Sequence, residues 1–249
     1  MDKFSVLQQY FGHSSFRPGQ EQVVDAIVSG QDVLGVMPTG AGKSVCYQVP
    51  AMLMPGLTLV ISPLISLMQD QVAALEEEGV HAACLNSALP EGLYSTILRA
   101  ALEGDYKILY VAPELLLTDS FLYLAMHARI AFVAVDEAHC VSQWGQDFRP
   151  SYLKIAEFIS RLPYRPVIGA FTATATEQVK QDFTLTTGFD RPNLYFGVAR
   201  PRDKERYIEE YILDHRDRSG IVYCATRKSV ESVCKELRSV GISATRYHA

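Results

Sequence analysis

The sequence predicts a doubly wound α/β domain built on a mostly parallel sheet, and three observations predict it. Short apolar runs of strand length alternate with amphipathic stretches of helix length along most of the chain. Those runs are apolar throughout rather than at every second position, as strands covered on both faces are. The first of them runs into a glycine-rich turn and then a helix, the local order of a βα unit.

Each element has its own signal. FSVLQQYF, residues 4–11, puts Phe4, Leu7, Tyr10 and Phe11 on one helical face, and Gly12 is a stop. A second helix follows RPGQ over 20–28, with Val23, Ile27 and Val28 apolar. Strands are expected over 32–37 (DVLGVM), 57–62 (LTLVIS), 82–85 (AACL), 107–112 (KILYVA), 131–136 (AFVAVD) and 167–172 (VIGAFT). Helical patterns between them include one starting near Lys43 and others over 64–78, 91–103, 151–160 and 175–185. Composition changes near residue 200, where ARPRDKER reads as a linker. A helix (204–214), a strand (220–224, GIVYC), a helix (227–239) and a strand (243–247, SATRY) follow. About 45 residues cannot close a two-faced sheet around a core of their own. The expected organisation is therefore a first domain over 1–198, a linker over 199–204, and the start of a second domain over 205–249.

Composition narrows the class. The chain has 249 residues, 48% hydrophobic and 20% charged, an ordinary globular balance. It has no apolar stretch of bilayer length and no signal-peptide pattern at its start, so no membrane partner and a cytoplasmic setting are expected. Its five cysteines are odd in number and form no C-x-x-C pair, which argues for reduced thiols over a disulfide framework or a zinc cluster. The net charge of −5 disfavours a broad electrostatic nucleic-acid surface but leaves room for a narrow track of backbone N–H groups and helix ends.

Two stretches carry chemistry. In GVMPTGAGKSVCYQ (35–48) the core Thr39-Gly40-Ala41-Gly42-Lys43-Ser44 lies between a strand and a helix. Gly40 and Gly42 let the backbone curl until N–H groups point at phosphate oxygens, and the helix start adds its positive dipole end. Lys43 then reaches the β and γ phosphates while the Ser44 hydroxyl ligates Mg2+. Met37 stands where the strict G-x-x-x-x-G-K-[ST] pattern has its first glycine. In FVAVDEAH (132–139) an apolar strand delivers two acids to its C-terminal end, where open α/β sheets bind ligands. Asp136 suits Mg2+ through water. Glu137 suits the general base that activates an attacking water. Together the two stretches point to hydrolysis of a nucleoside triphosphate.

Two others are ambiguous alone. FTATAT (171–176) ends an apolar strand; the Thr172 and Thr174 hydroxyls either serve the acids or belong to a β-forming run with a helix cap. SQWGQDFRPSY (142–152) holds the only tryptophan, with Phe148 and Tyr152 beside it, in a polar loop directly after the acids. Trp144 either folds back onto the core or stacks on unpaired bases.

Taken in order, TGAGKS, SPLISLMQDQV (62–72), VAPE (111–114), DEAH (136–139), FTATA (171–175) and IVYCATR (221–227) resemble the motor motifs of superfamily 2 helicases. FGHSSFRPGQ (11–20), SQWGQDFRPSY, GFDRPNL (188–194) and the terminal YHA narrow the resemblance to the RecQ family of DNA helicases. The loop carries Gln146 where that family commonly has His. The resemblance implies a RecA-like P-loop NTPase domain followed by an incomplete second RecA-like domain. It implies ATP and Mg2+ as cofactors, no zinc site in this chain, and single-stranded and partly duplex DNA as partners. By the same resemblance His13, Arg17 and Gln20 contact the nucleotide, with Gln20 reading the adenine. Ser62 and the N–H groups after Pro63 donate to DNA phosphates. His139 links the acids to Thr172 and Thr174 and to the aromatic loop. There Gln143, Trp144 and Phe148 meet DNA, and Arg149 binds phosphate or pairs with an acid. The implied activity is ATP hydrolysis coupled to 3′–5′ translocation on single-stranded DNA and duplex unwinding, in DNA repair or recombination. The family's second domain supplies arginines to the ATP site, and Arg227 sits in only its first segment. This chain alone is therefore expected to bind ATP but not to unwind.

Overall fold

A computed structural model of the chain describes residues 1–38, 40–141, 149–173, 184–186, 201, 203–215 and 218–247. They fall in two compact units, Met1–Asp190 and Arg191–Ala249.

In the first unit the apolar runs form one seven-stranded sheet: β1 (Val33–Val36), β2 (Leu57–Ile61), β3 (Ala82–Leu85), β4 (Ile108–Val111), β5 (Ile130–Val135), β6 (Val167–Thr172) and β7 (Thr184–Thr186). The order is β3-β4-β2-β5-β6-β1-β7, and every pairing is parallel. The helices are α1 (Lys3–Phe11), α2 (Gln20–Val28), α3 (Lys43–Leu53), α4 (Ile65–Glu77), α5 (Glu91–Glu103), α6 (Asp119–His127) and α7 (Lys154–Arg161). Two cores explain the unbroken hydrophobicity of the strands. Leu59, Ile61, Leu109, Val111 and Val133 face α5, α6 and α7 on one side. Their chain neighbours Val60, Ile108, Tyr110, Phe132 and Ala134 face α2, α3 and α4 on the other. Successive side chains of a strand point to opposite faces, so both sets must be apolar.

The strand order places the chemistry. β6 lies between β1, which leads into the glycine loop, and β5, which ends in the acids. In a parallel sheet all three C-terminal ends open on one edge, and there Thr172 stands between Lys43 and Asp136 in strand order. Below that edge the ring of Phe171 packs closely against two glycines. A Cβ on Gly35 would stand 2.8 Å from it, and one on Gly169 would stand 2.9 Å from it. Gly35→Ala should therefore cost about 1–3 kcal/mol through overpacking, measured by chemical denaturation. An unchanged midpoint would show that the ring can move at no cost.

Two expectations need correction, and one helix was not foreseen. A helix was expected over 175–185, yet residues 184–185 belong to β7, which pairs with β1 beside Leu34 and Gly35; residues 175–183 lie outside the described residues. β-branched Thr184 and Thr186 favour the strand where a neighbour is available to pair. α6 carries no readable period, because FLYLAM is apolar almost throughout; Phe121, Leu124 and Ala125 are buried while Tyr123 and Met126 are exposed. In the second unit α8 (Lys204–Asp214) and α9 (Arg227–Ser239) form where expected, capped by Asp203, which accepts from the Arg206 N–H, and Thr226, which accepts from the Ser229 N–H. The strands expected over 220–224 and 243–247 do not form. A strand exists by pairing, and Ile221 and Tyr223 stand exposed with no ladder partner among the described residues.

Candidate active site

The glycine loop is built by its carbonyls. Gly40 and Gly42 take φ values of 80° and 79°, the left-handed region open to glycine. The Arg17 guanidinium donates to the Gly40 carbonyl at 2.7 Å. The buried Gln20 amide donates to the Ala41 and Gly42 carbonyls at 3.0 Å each, and its oxygen accepts the Arg17 N–H at 2.8 Å. With those carbonyls held on one side, the peptide N–H groups of Gly42 and Lys43 turn to the other. They join the first turn of α3, whose N-terminus has no side-chain cap, and make an anion cradle. A Cβ on Gly42 would lie 2.6 Å from the Gln20 amide nitrogen. Arg17 and Gln20, expected to touch nucleotide, here brace the loop that would hold it. His13 is exposed past the end of α1. Thr39 lies outside the described residues.

β5 ends one residue before Asp136, whose N–H still donates to the Ile61 carbonyl at 2.9 Å. The chain then turns sharply: Glu137 takes φ 47°, the one non-glycine residue with positive φ among the described residues. Such backbone is costly and persists where the surroundings hold it. Here the Glu137 N–H donates to the Asp136 carboxylate at 3.0 Å. Its own carboxylate lies 3.5 Å from the Lys43 ammonium and 3.2 Å from His139 Nδ1. The same His139 nitrogen is 3.1 Å from the Thr172 hydroxyl. So Lys43, Asp136, Glu137, His139 and Thr172 come together at the C-terminal edge of β1, β5 and β6.

Asp136 is only 6% exposed. Burial, and next the Glu137 carboxylate, raise its carboxyl above the ordinary value, with Lys43 pulling the other way. Two adjoining acids of this kind favour a cation. Among the described residues no three His, Cys, Asp or Glu side chains are grouped to hold a metal. Ser44, in the first turn of α3, and Asp136 offer hard oxygen donors, the kind that suit a cation taking its remaining ligands from phosphate and water, as Mg2+ does.

The aromatic loop is tied at its ends. The Arg149 N–H donates to the Cys140 carbonyl at 3.0 Å, and the Arg149 guanidinium donates to the Pro63 carbonyl at 2.9 Å. Buried Tyr152 donates to the Asp136 carbonyl at 2.8 Å. Arg149 thus joins the loop to the segment that leads into α4, a backbone contact that its charge did not announce. Gln143, Trp144 and Phe148 lie outside the described residues, as does Thr174. Ser62 is buried, and its hydroxyl has no hydrogen-bond partner among the described residues. The buried Cys46 thiol is pushed up to about 12 by burial and stays protonated.

Comparison with known proteins adds a family and relatives. A family model described as DEAD/DEAH box helicase matches residues 17–182. The chain is 44% identical over 255 residues to an ATP-dependent DNA helicase RecQ of Bacillus subtilis, covering 98% of this chain and 43% of that protein. It is 40% identical over 266 residues to an ATP-dependent DNA helicase Q1 of Pongo abelii, covering 98% and 41%. It thus spans less than half the length of these relatives. Among solved structures, the DUF1998 helicase MrfA bound to DNA and AMPPNP superposes with a TM-score of 0.73 at 15% identity, over 96% of this chain and 38% of that one. A hypothetical ATP-dependent RNA helicase from Sulfolobus tokodaii superposes with a TM-score of 0.58 at 19% identity, over 94% and 71%. At such identities the structures speak for the α/β fold alone.

Proposed function

This chain belongs to the DEAD/DEAH box helicase family, and from that premise we propose that it is the ATP-binding motor part of a RecQ-type DNA helicase. The observation that carries the reading is the meeting of Lys43 and Glu137, 3.5 Å apart across the strand ends, beside a glycine loop braced for phosphate. Lys43 and the loop N–H groups hold the phosphates. Ser44 and Asp136 would hold Mg2+, which when bound would supply neutralisation of charge on the phosphoryl group. Glu137 takes the proton of the attacking water. His139 ties Glu137 to Thr172, so a change at either strand end is felt by the base.

The names of the relatives support DNA as the partner. Single-stranded DNA as the track, 3′–5′ travel and a role in repair or recombination are part of the same proposal, as is a cytoplasmic setting. So is the division into a first motor domain over 1–198, a linker over 199–204 and the start of a second motor domain over 205–249. On this reading hydrolysis also needs arginines from the second motor domain. Their loss can cost about 10³-fold or more in phosphoryl transfer.

The experiment compares this chain with one of the relatives' length. The longer chain should hydrolyse ATP under stimulation by single-stranded DNA and separate duplexes. The 249-residue chain should bind ATP·Mg2+, turn over slowly and separate nothing. Rapid DNA-stimulated turnover by the shorter chain would overturn the need for further arginines. Stimulation by RNA and not DNA would overturn the partner. In the longer chain Trp144→Ala should keep ATP affinity and weaken DNA stimulation by about 5–150-fold, one stacked base being worth about 1–3 kcal/mol. Unchanged stimulation would return Trp144 to a packing role.

A further inference from the structure

α3 and α4 start at the same edge of the sheet, where β1 and β2 end, and one polar bridge ties them together within the first two turns of each. The Gln48 amide of α3 donates to the Gln71 side-chain oxygen of α4 at 2.7 Å and to the Tyr110 hydroxyl of β4 at 2.9 Å. The Tyr110 hydroxyl donates in turn to the same Gln71 oxygen at 3.5 Å. Both amide protons of Gln48 are thereby engaged, and three elements meet in one ring of hydrogen bonds. Among the described residues no other side-chain hydrogen bond joins α3 to α4. Gln48 is 4% exposed and Tyr110 1%, in a core that α3 and α4 otherwise fill with Cys46, Ala51, Met68 and Leu75.

Stability alone does not call for such a ring. Apolar side chains of the same shape hold two helices about as well as satisfied polar ones. What apolar contacts lack is direction: they tolerate sliding, whereas a hydrogen bond at 2.7 Å is lost with a shift of about 1 Å. The ring therefore fixes where α3 stands along α4, as satisfied buried networks do. Each helix carries something at its start. α3 begins with Lys43 and Ser44 of the phosphate cradle. α4 is entered through Pro63, whose carbonyl is held at 2.9 Å by Arg149, at the end of the loop that follows the acids. A displacement of that loop that draws on Pro63 and α4 takes Gln71 with it. The start of α3 must then follow, or the ring must break.

We infer that Gln48 is a positioning residue of the phosphate cradle: through Gln71 and α4 it makes the placement of Lys43 and Ser44 depend on the loop that Arg149 anchors. The inference rests on the proposed DNA-stimulated motor. It gives that reading a mechanical route from the aromatic loop to the nucleotide, running through the backs of two helices rather than across the acids.

The test uses a chain of the relatives' length and AMPPNP carrying an N-methylanthraniloyl fluorophore. Its Kd in Mg2+ is measured with and without a saturating single-stranded oligonucleotide, and the ratio of the two values is the coupling. Gln71→Leu should bring that ratio closer to one by about two- to tenfold, with the DNA-free Kd within twofold of the parent. It also leaves a buried amide short of an acceptor, so a second variant controls for stability. Gln48→Leu, Tyr110→Phe and Gln71→Leu combined keep the shapes and remove every member of the ring. This triple variant should regain the thermal midpoint lost in Gln71→Leu and stay uncoupled. A ratio that instead follows the thermal midpoint, falling in the single variant and recovering in the triple, would make the ring a packing element and overturn the inference. So would an unchanged ratio in Gln71→Leu. A parent whose nucleotide affinity ignores DNA would overturn the proposed function first, and the inference with it.

Discussion

Glu137→Gln is expected to slow ATP hydrolysis by about 10²–10⁴-fold and to leave ATP·Mg2+ affinity equal or tighter. The turn at φ 47° aims the carboxylate between Lys43, 3.5 Å away, and His139, 3.2 Å away. Gln keeps the size of the side chain and an oxygen that can accept from His139 Nδ1. It cannot take a proton from water at neutral pH. It also carries no charge, so Lys43 is released from an ion pair that competes with phosphate. The rate and the affinity should therefore separate, which a folding defect would not produce. Single-turnover hydrolysis in a chain of the relatives' length, beside equilibrium binding, reads both. A rate within a few-fold of the parent would mean that Glu137 only holds Lys43, and that the proton goes elsewhere.

The parts of this site that were legible in the sequence are those whose chemistry is local. Glycines at 40 and 42 followed by Lys43 and Ser44 can be read because the turn, the cradle and the helix start are contiguous. The acids at 136 and 137 can be read because an apolar strand ends on them. Which strand lies beside which was not legible. Thr172 was an ambiguous threonine until β6 was found between β1 and β5, which brings its hydroxyl to His139. Parallel order is fixed by crossover connections and two-sided burial, and adjacent sequence does not record it. The same limit hid β7, whose strand state depends on the edge of β1. Gln48, Tyr110 and Gln71 were hidden for another reason. Each lies in an apolar or amphipathic run where an aromatic or a Gln reads as ordinary packing, and only their convergence shows a hydrogen-bonded chain. The strands expected in the second unit failed in the opposite direction: GIVYC has the propensity, but propensity without a paired neighbour does not make a strand.

Asp136→Asn should stabilise the chain at neutral pH and remove the Mg2+ dependence of its nucleotide binding. The folded state raises the Asp136 carboxyl above its ordinary value, chiefly by burial and next through Glu137. A group whose folded value is raised contributes stability that is fully present below the unfolded value and lost as pH rises through the folded one. Wherever the carboxylate is ionised the fold bears the cost of burying it, and increasingly so as the pH rises. Asn carries no charge and keeps an oxygen to accept the Glu137 N–H that Asp136 accepts at 3.0 Å. The gain should be on the order of 1 kcal/mol, about 2–4 °C in thermal midpoint for a chain of this size. It should shrink as the pH is lowered and the parent's own carboxyl takes up a proton. Function moves the other way, because an amide is a weak partner for a hard divalent cation. A site that gains stability by losing its metal acid is one whose buried charge is retained for the cation. Thermal melts of both chains across the acid range, beside nucleotide binding with and without Mg2+, measure the two effects separately. A parent as stable as Asp136→Asn at neutral pH would mean that Lys43 and His139 already offset the buried charge, and the cation would then have less to neutralise than the geometry of β5 suggests.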